Sequence, residues 1–260
     1  VADSLALYAV FGKPILHSLS PKIHNHAFRD NAISAFYLPV EVASDALPLK
    51  LAAFQKLGGR GVNLTRPLKE EVLPHLSAAS EWVKQAGAAN TLVWQDGGWV
   101  GDNTDCQALE TKVPPGHGGP ALILGAGGVA RATAAVLASR GYEVWVAARH
   151  PSGVVFGEHI LTWGERLKPR DWQVVVNATP LGQIHEEQET DWPLPAPGGM
   201  AVDWVYRPRR TRFLALAESR GVSVVDGLEL LVEQAAWSWV AWFGYRGPVA
   251  VMRDAVQEWS

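Results

Sequence analysis

An apolar run, Ala121–Leu124, passes into Gly125-Ala126-Gly127-Gly128-Val129-Ala130 and on into Val129–Arg140, a helical stretch that Gly141 ends. This segment restricts the fold more than any other. A strand that turns at glycine straight into a helix belongs to a βαβ unit, and such units demand a largely parallel sheet with helices on its faces. In the spacing G-x-G-x-x-A, Gly125 permits the tight turn, Gly127 lets a pyrophosphate approach bare backbone, and Ala130 lets the helix pack closely on the strand. Free N–H groups and the dipole at the helix start favour phosphate there. Gly125, Ala126, Gly127, Gly128, Val129 and Ala130 are therefore candidate dinucleotide-binding residues. An ordinary glycine turn is the competing reading, and the strand–loop–helix context disfavours it.

The same alternation runs along the chain. Leu5–Phe11 reads as a strand, followed by a helix over Pro21–Asn31 with Ser20 as its N-cap and Pro21 at the first helical position. Ala35–Val42 is a second strand, Asp45 caps a helix through Lys56, and Gly61–Leu64 is a third strand. Asn90–Trp94 and Gly98–Gly101 pair around Asp96-Gly97, a strong hairpin signal. A helix covers Thr104–Thr111. The proline- and glycine-rich run Pro114–Pro120 is the best linker candidate. Beyond the glycine loop, Tyr142–Ala147, Trp172–Asn177, Met200–Val205 and Val222–Val225 are strands, and Phe213–Arg220 is a helix. Leu228–Phe243, carrying Trp237, Trp239 and Trp242, is a long final helix.

Composition narrows the class. The chain has 260 residues, enough for one large domain or two modest ones. Its net charge of -3 gives no global field for nucleic acid or a membrane surface. The basic run 207–212 lacks interleaved aromatics and reads as a solvated loop. A single cysteine, Cys106, allows no intrachain disulfide or cysteine-based zinc site and fits a reducing cytoplasm. Val1–Leu7 lacks the basic and apolar regions of a leader, and the longest apolar stretch, Ala235–Phe243, is too short to span a bilayer. No metal-ligand cluster is visible; His24 and His26 lie two apart on a helix and face different ways.

Two polar segments carry the chemistry. Asn63-Leu64-Thr65-Arg66-Pro67-Leu68-Lys69 and Gly101-Asp102-Asn103-Thr104-Asp105 supply one lysine and one aspartate near strand ends. Such a pair beside a nicotinamide makes a proton relay for oxidising an alcohol. Ser18 and Ser20, at a strand-to-helix junction, can bind a small carboxylate, although Ser20 alone would read as a helix cap. The second strand after the glycine loop ends in Ala147-Ala148-Arg149-His150, with no carboxylate for ribose hydroxyls and a guanidinium for a 2′-phosphate. NADP is therefore preferred over NAD.

These motifs resemble the shikimate dehydrogenase family. The matches are G-x-P-I-x-H-S-x-S-P-x-x-H-N at Gly12–Asn25, N-x-T-x-P-x-K at Asn63–Lys69, G-A-x-N-T at Gly87–Thr91, N-T-D at Asn103–Asp105 and G-A-G-G at Gly125–Gly128. Asn177-Ala178-Thr179-Pro180-Leu181-Gly182, then Asp203-x-x-Tyr206-x-Pro208-x-x-Thr211, then Gly227 to Gln234 continue the match in family order over nearly the whole chain. The resemblance implies an α/β protein of two domains. One is an N-terminal α/β substrate domain, residues 1–105, to which C-terminal helices in 235–260 return. The other, 106–234, is a Rossmann-type NADP-binding domain.

The implied activity is an oxidoreductase of the shikimate pathway, leading to chorismate and the aromatic amino acids. It reduces 3-dehydroshikimate to shikimate reversibly with NADPH, in the cytoplasm, as a monomer or homodimer. Lys69 and Asp105 are the implied catalytic pair. Ser18 and Ser20 would bind the substrate carboxylate; Asn63, Thr65, Asn90, Asp105 and Gln234 the ring hydroxyls; Tyr206 would sit near the substrate. Asn177, Ala178, Thr179 and Gly227 join Arg149 and the glycine loop on the cofactor side. The chain departs from the family at Ala108, where glycine is usual, and at Ala148-Arg149-His150, where Asn-Arg-Thr is frequent, which implies a weaker 2′-phosphate clamp. The alternatives are an NAD-using quinate or shikimate dehydrogenase and a non-catalytic regulator that binds shikimate or NADP.

Overall fold

The computed structural model describes residues 5–183 and 191–257. The first four residues of the segment read for a leader, and the last three of the segment assigned to the substrate domain, lie outside the described residues. Two compact units result: 5–107 with 232–257, and the described part of 108–231.

The first unit opens with β1 (Ala6–Gly12), α1 (Ser20–Asp30), β2 (Ala35–Glu41), α2 (Leu47–Lys56) and β3 (Gly59–Leu64). It continues with α3 (Leu68–Glu71), β4 (Ala78–Ala79), α4 (Glu81–Ala86), β5 (Thr91–Gln95), β6 (Gly98–Asp102) and α5 (Thr104–Glu110), whose C-terminal residues belong to the second unit. The six strands form one sheet in the order β2-β1-β3-β5-β6-β4. β1 lies parallel to β2 and β3, which explains its unbroken apolar run: a central parallel strand is covered on both faces. Ala9 and Phe11 point into a core with Leu51, Phe54, Val62, Leu64 and Leu92. Tyr8, on the opposite face, meets Phe28, Trp242 and Phe243. The Asp96-Gly97 hairpin forms as expected, both residues having the positive φ that a type I′ turn requires (52° and 81°).

Two caps differ from expectation. α1 starts at Ser20 itself, behind a Leu19 cap position with no side-chain bond, because the Ser18 hydroxyl already accepts the Ser20 N–H at 3.3 Å. Asp45 lies in a 3₁₀ turn, Ser44–Ala46, that runs directly into α2, and the Leu47 N–H bonds Ser44 O instead of a carboxylate. β3 also begins earlier than Gly61, since Gly58 alone ends α2.

The second unit holds β7 (Pro120–Leu124), α6 (Gly128–Ser139), β8 (Glu143–Ala148), β9 (His159–Thr162), β10 (Val174–Asn177), β11 (Met200–Asp203), α7 (Arg212–Ser219) and β12 (Ser223–Val225). All of its strands pair parallel, in the order β12-β11-β10-β7-β8-β9. Read from β9, this is the doubly wound order in which chain direction across the sheet reverses between β7 and β10. The run Pro114–Pro120 is not a free linker. Gly116 and Gly118 donate N–H groups to Arg140 O (2.8 Å) and Gly141 O (2.7 Å), and Gly116 lies flat on the Tyr142 ring where a Cβ would not fit.

The chain ends in α8 (Gly227–Phe243) and α9 (Val249–Asp254), and from residue 232 onward these belong to the first unit. α9 packs on α1. Trp239 is fully buried and donates its Nε1–H to His24 Nδ1 at 3.2 Å, while Trp242 donates to Leu92 O at 3.0 Å. The tryptophans are thus packing groups. Trp242 also explains Gly61, because its indole occupies the space a Cβ at 61 would need. Gly61→Ala should therefore lower the unfolding free energy by about 1–3 kcal/mol through overpacking. Gly153→Ala, whose added carbon meets nothing, should stay within about 0.5 kcal/mol. Urea titrations of both variants check this, and equal midpoints would contradict the packing account.

Candidate active site

In the first unit the ends of β3, β5 and β6 bring the polar segments together. Lys69 on α3 and Asp105 in the first turn of α5 meet at 2.6 Å (Nζ to Oδ2), with 14% and 7% of their side chains exposed. The N-T-D motif works as a local device. Asn103 caps α5, its Oδ1 accepting the Cys106 N–H (3.2 Å) and its Nδ2 donating to Ala88 O (2.8 Å). Asn90 Oδ1 accepts the Thr104 N–H at 2.7 Å and so locks the start of the helix that carries Asp105.

Asn63 and Asn90 are both buried. Asn63 Nδ2 donates to Thr91 Oγ1 and Ser238 Oγ, each at 2.9 Å, and approaches Asn90 O at 3.3 Å. Asn63 Oδ1 accepts from the Tyr37 hydroxyl at 2.7 Å. Its donor capacity is therefore used inside the protein, which suits it to aligning neighbours more than to donating to a ring hydroxyl. Thr65 follows β3, half-buried, its methyl occupying the space that Gly12 leaves by lacking a side chain. Thr104 Oγ1 reaches Gln234 Oε1, at a long 3.5 Å. Ser20 is buried and Ser18 half-buried at the start of α1. Tyr37, Thr91, Thr104 and Ser238 were not expected from the sequence. Thr91 and Thr104 sit inside motifs already singled out; Ser238, in an apolar helix, gave a weaker signal.

The second unit gathers the glycine loop and the residues after β10 and β11. Gly125 has φ +111° and lies against Ala178 O, which would be 2.9 Å from any Cβ there. It therefore marks the point between β7 and β10 where the sheet reverses direction, the usual ligand crevice of such sheets. Ala126 and Gly127 are exposed at the start of α6, which has no side-chain cap, and Ala130 is buried as close helix packing requires. Gly128 and Val129 are half-buried. Arg149 is exposed in the bend after β8. Asn177, expected at the cofactor side, is fully buried. Its amide donates to Leu181 O and Asp203 and accepts from Thr179, which shapes the loop in which Ala178 and Thr179 are half-buried. Gly227 is buried with no room for a Cβ beside the Val205 backbone. Tyr206 is half-buried, and that burial raises its pKa despite the nearby Arg207 charge.

Asp203, at the end of β11, accepts from Asn177 Nδ2 (2.9 Å), Val205 N–H (2.9 Å) and Thr211 Oγ1 (2.6 Å). Burial pushes its pKa up to about 7 against the pull of those three donors. Folding then favours the protonated form. The stability this group contributes is present below its ordinary value near 4 and is lost as pH rises through about 7. Between about pH 5 and about pH 8, wild type should lose stability relative to Asp203→Asn. Parallel stability curves for the two proteins would rule this out.

Residues 10–92 match the family described as the shikimate dehydrogenase substrate binding domain, and residues 227–257 match the shikimate 5′-dehydrogenase C-terminal domain. The shikimate dehydrogenase (NADP(+)) of Moorella thermoacetica is 37% identical, covering 99% of this chain and 95% of that protein. The enzyme of that name from Thermus thermophilus is 38% identical, covering 96% and 97%. A solved structure of a Thermus thermophilus shikimate 5-dehydrogenase, in complex with NADP(H) and shikimate, is 35% identical with a TM-score of 0.84, covering 98% of this chain and all of that one. With relatives at this identity matched over nearly their full length, and the same fold in the solved structure, the chain belongs to the shikimate dehydrogenase family.

Proposed function

We propose that this chain catalyses the reversible reduction of 3-dehydroshikimate by NADPH and a proton to shikimate and NADP, a step towards chorismate and the aromatic amino acids. The observation that carries the mechanism is the Lys69–Asp105 pair, held at 2.6 Å with both side chains mostly buried. A buried charged pair is costly to desolvate and is weak as a purely structural element, so its retention among polar neighbours points to chemistry.

Substrate binding falls to the first unit. Ser18 and Ser20 take the carboxylate, and Thr65, Asn90, Asp105 and Gln234 take the ring hydroxyls, with Asn63 aligning them from below. Lys69 delivers a proton to the carbonyl oxygen in the reducing direction and removes it from the hydroxyl in reverse. Asp105 holds the ammonium in place and accepts from the reacting hydroxyl. Tyr206 is assigned a substrate-binding role as well.

The dinucleotide falls to the second unit, where the exposed glycine backbone at the uncapped start of α6 fits a pyrophosphate. A bound nicotinamide supplies and takes up the hydride. Ala178, Thr179 and Gly227 line its site, and Arg149 pairs with a 2′-phosphate. Cys106, the chain's single cysteine, is a buried thiol and fits a reducing cytoplasm, where we place the protein as a monomer or homodimer.

An absorbance assay of purified protein, with shikimate or quinate each paired with NADP or NAD, tests the reading directly. Turnover should be fastest with shikimate and NADP; binding without oxidation would make the protein a sensor. Lys69→Ala should reduce turnover by about two to four orders of magnitude while the shikimate Michaelis constant moves far less. A variant keeping a third of wild-type turnover would remove Lys69 from the proton path. Arg149 is exposed, so NADP should be preferred over NAD by only roughly ten- to hundredfold. Arg149→Ala should erase most of that preference by weakening NADP alone. Equal losses for both cofactors would give Arg149 a structural role.

A further inference from the structure

The start of α6 is held from behind by two residues outside the glycine loop. Thr133, fully buried in the second turn of the helix, donates its hydroxyl proton to Val129 O at 2.9 Å. Trp204, the residue after β11, donates its indole Nε1–H to the same Thr133 oxygen at 3.1 Å. The indole is carried on fixed backbone. The Trp204 N–H bonds Asn177 O at 3.0 Å, and Asp203 beside it is pinned by Asn177 and Thr211.

The partners allow only one direction for these bonds. An indole nitrogen can only donate and a carbonyl oxygen can only accept. Threonine has one hydroxyl proton, so that proton goes to Val129 O and the oxygen accepts from Trp204. Val129 O belongs to the peptide unit whose N–H is that of Ala130, and in a trans peptide that N–H points the opposite way, toward the helix start. The first helical bond there runs from the Arg131 N–H to Gly127 O at 3.0 Å, so the Ala130 N–H precedes the ladder and has no helical partner. Indole, hydroxyl and peptide thus form a series of donors aimed one way. In a buried setting each bond polarises the next, and the series ends where a helix favours an anion.

We infer that Trp204 and Thr133 are positioning residues for the dinucleotide pyrophosphate. They act through the Val129–Ala130 peptide, fixing its plane and strengthening its N–H as a donor. The inference rests on the reading of the glycine loop as the pyrophosphate site of a dehydrogenase. The pyrophosphate is common to NADP and NAD, so the two residues raise affinity for both cofactors alike, whereas Arg149 separates them.

Calorimetric dissociation constants of NADP and NAD, measured over a mutant cycle, test it. Thr133→Val removes the hydroxyl and should weaken both cofactors about three- to tenfold, while Thr133→Ser keeps it and should stay within about twofold of wild type. Trp204→Phe should cost about two- to fivefold alone and less than about twofold when added to Thr133→Val, because the series is already broken. The NADP-to-NAD ratio, and the shikimate Michaelis constant at saturating NADP, should each move by less than about twofold in every variant. Independent multiplication of the Trp204 and Thr133 effects overturns the inference. Weakening of NADP alone does so too, since it would place the effect at the 2′-phosphate. So does a lower melting temperature with unchanged dissociation constants, which is a structural role only.

If Trp204→Phe does not fold, benzothienylalanine at position 204, with sulfur where the indole has its N–H, replaces it under the same expectations. Absence of both NADP binding and turnover in wild type would refute the dehydrogenase reading itself. Normal turnover with an uncoupled cycle refutes only the roles of Trp204 and Thr133.

Discussion

Asn63 and Asn90 lie buried beneath the strand ends of the first unit, and a desolvated amide is tolerable only when its hydrogen-bonding groups find partners. Meeting that demand organises the site. Asn63 draws in Thr91 from β5, Ser238 from α8 and Tyr37 from β2. Asn90 takes the backbone N–H and the hydroxyl of Thr104, so the first turn of α5 can start in one place only. Asp105 is the next residue, and its meeting with Lys69 follows from that anchoring. The Lys69–Asp105 pair is thus positioned by buried neighbours beneath it.

The second unit applies the same rule with a carboxylate at its centre. Asp203 and Asn177 sit side by side at the ends of paired strands β11 and β10. Bonds to Thr179, Leu181, Val205 and Thr211 then pin the loops leaving both strands. A parallel sheet leaves all its strand C-termini at one edge, so those loops and the glycine turn after β7 are neighbours by topology. Gly125 lies against Ala178 for that reason.

What could be read from residues alone was whatever rests on short-range rules. The strand–glycine–helix passage at 121–140, the Asp96-Gly97 hairpin and the apolar faces of α1 and α2 each depend on neighbours within a few positions. α3 and α4, of four and six residues, are too short to display a period, and β9 is a four-residue edge strand without a clear apolar alternation. The caps failed for another reason. Ser20 and Asp45 have the right side chains, but Ser18 and a 3₁₀ turn reached the open N–H groups first. Asn63 and Asn177 stood in motifs that marked them as important, yet only their bonding partners reveal that both amides face inward. Tyr37 and Ser238 were invisible because their partners, Asn63 in each case, are 26 and 175 residues away.

That last separation bears on how the molecule is made. Ser238 and Trp239 complete the polar layer and the aromatic face of the unit that leads the chain, across gaps of 175 and 215 residues. On a ribosome, every strand of the second unit has emerged before either residue does. The leading half must therefore wait, its buried amide short of a partner and its Tyr8–Phe28 face uncovered, while the later half can already close. The part synthesised first is the part finished last, and a chain stalled before α8 would expose the surface most prone to sticking to other chains.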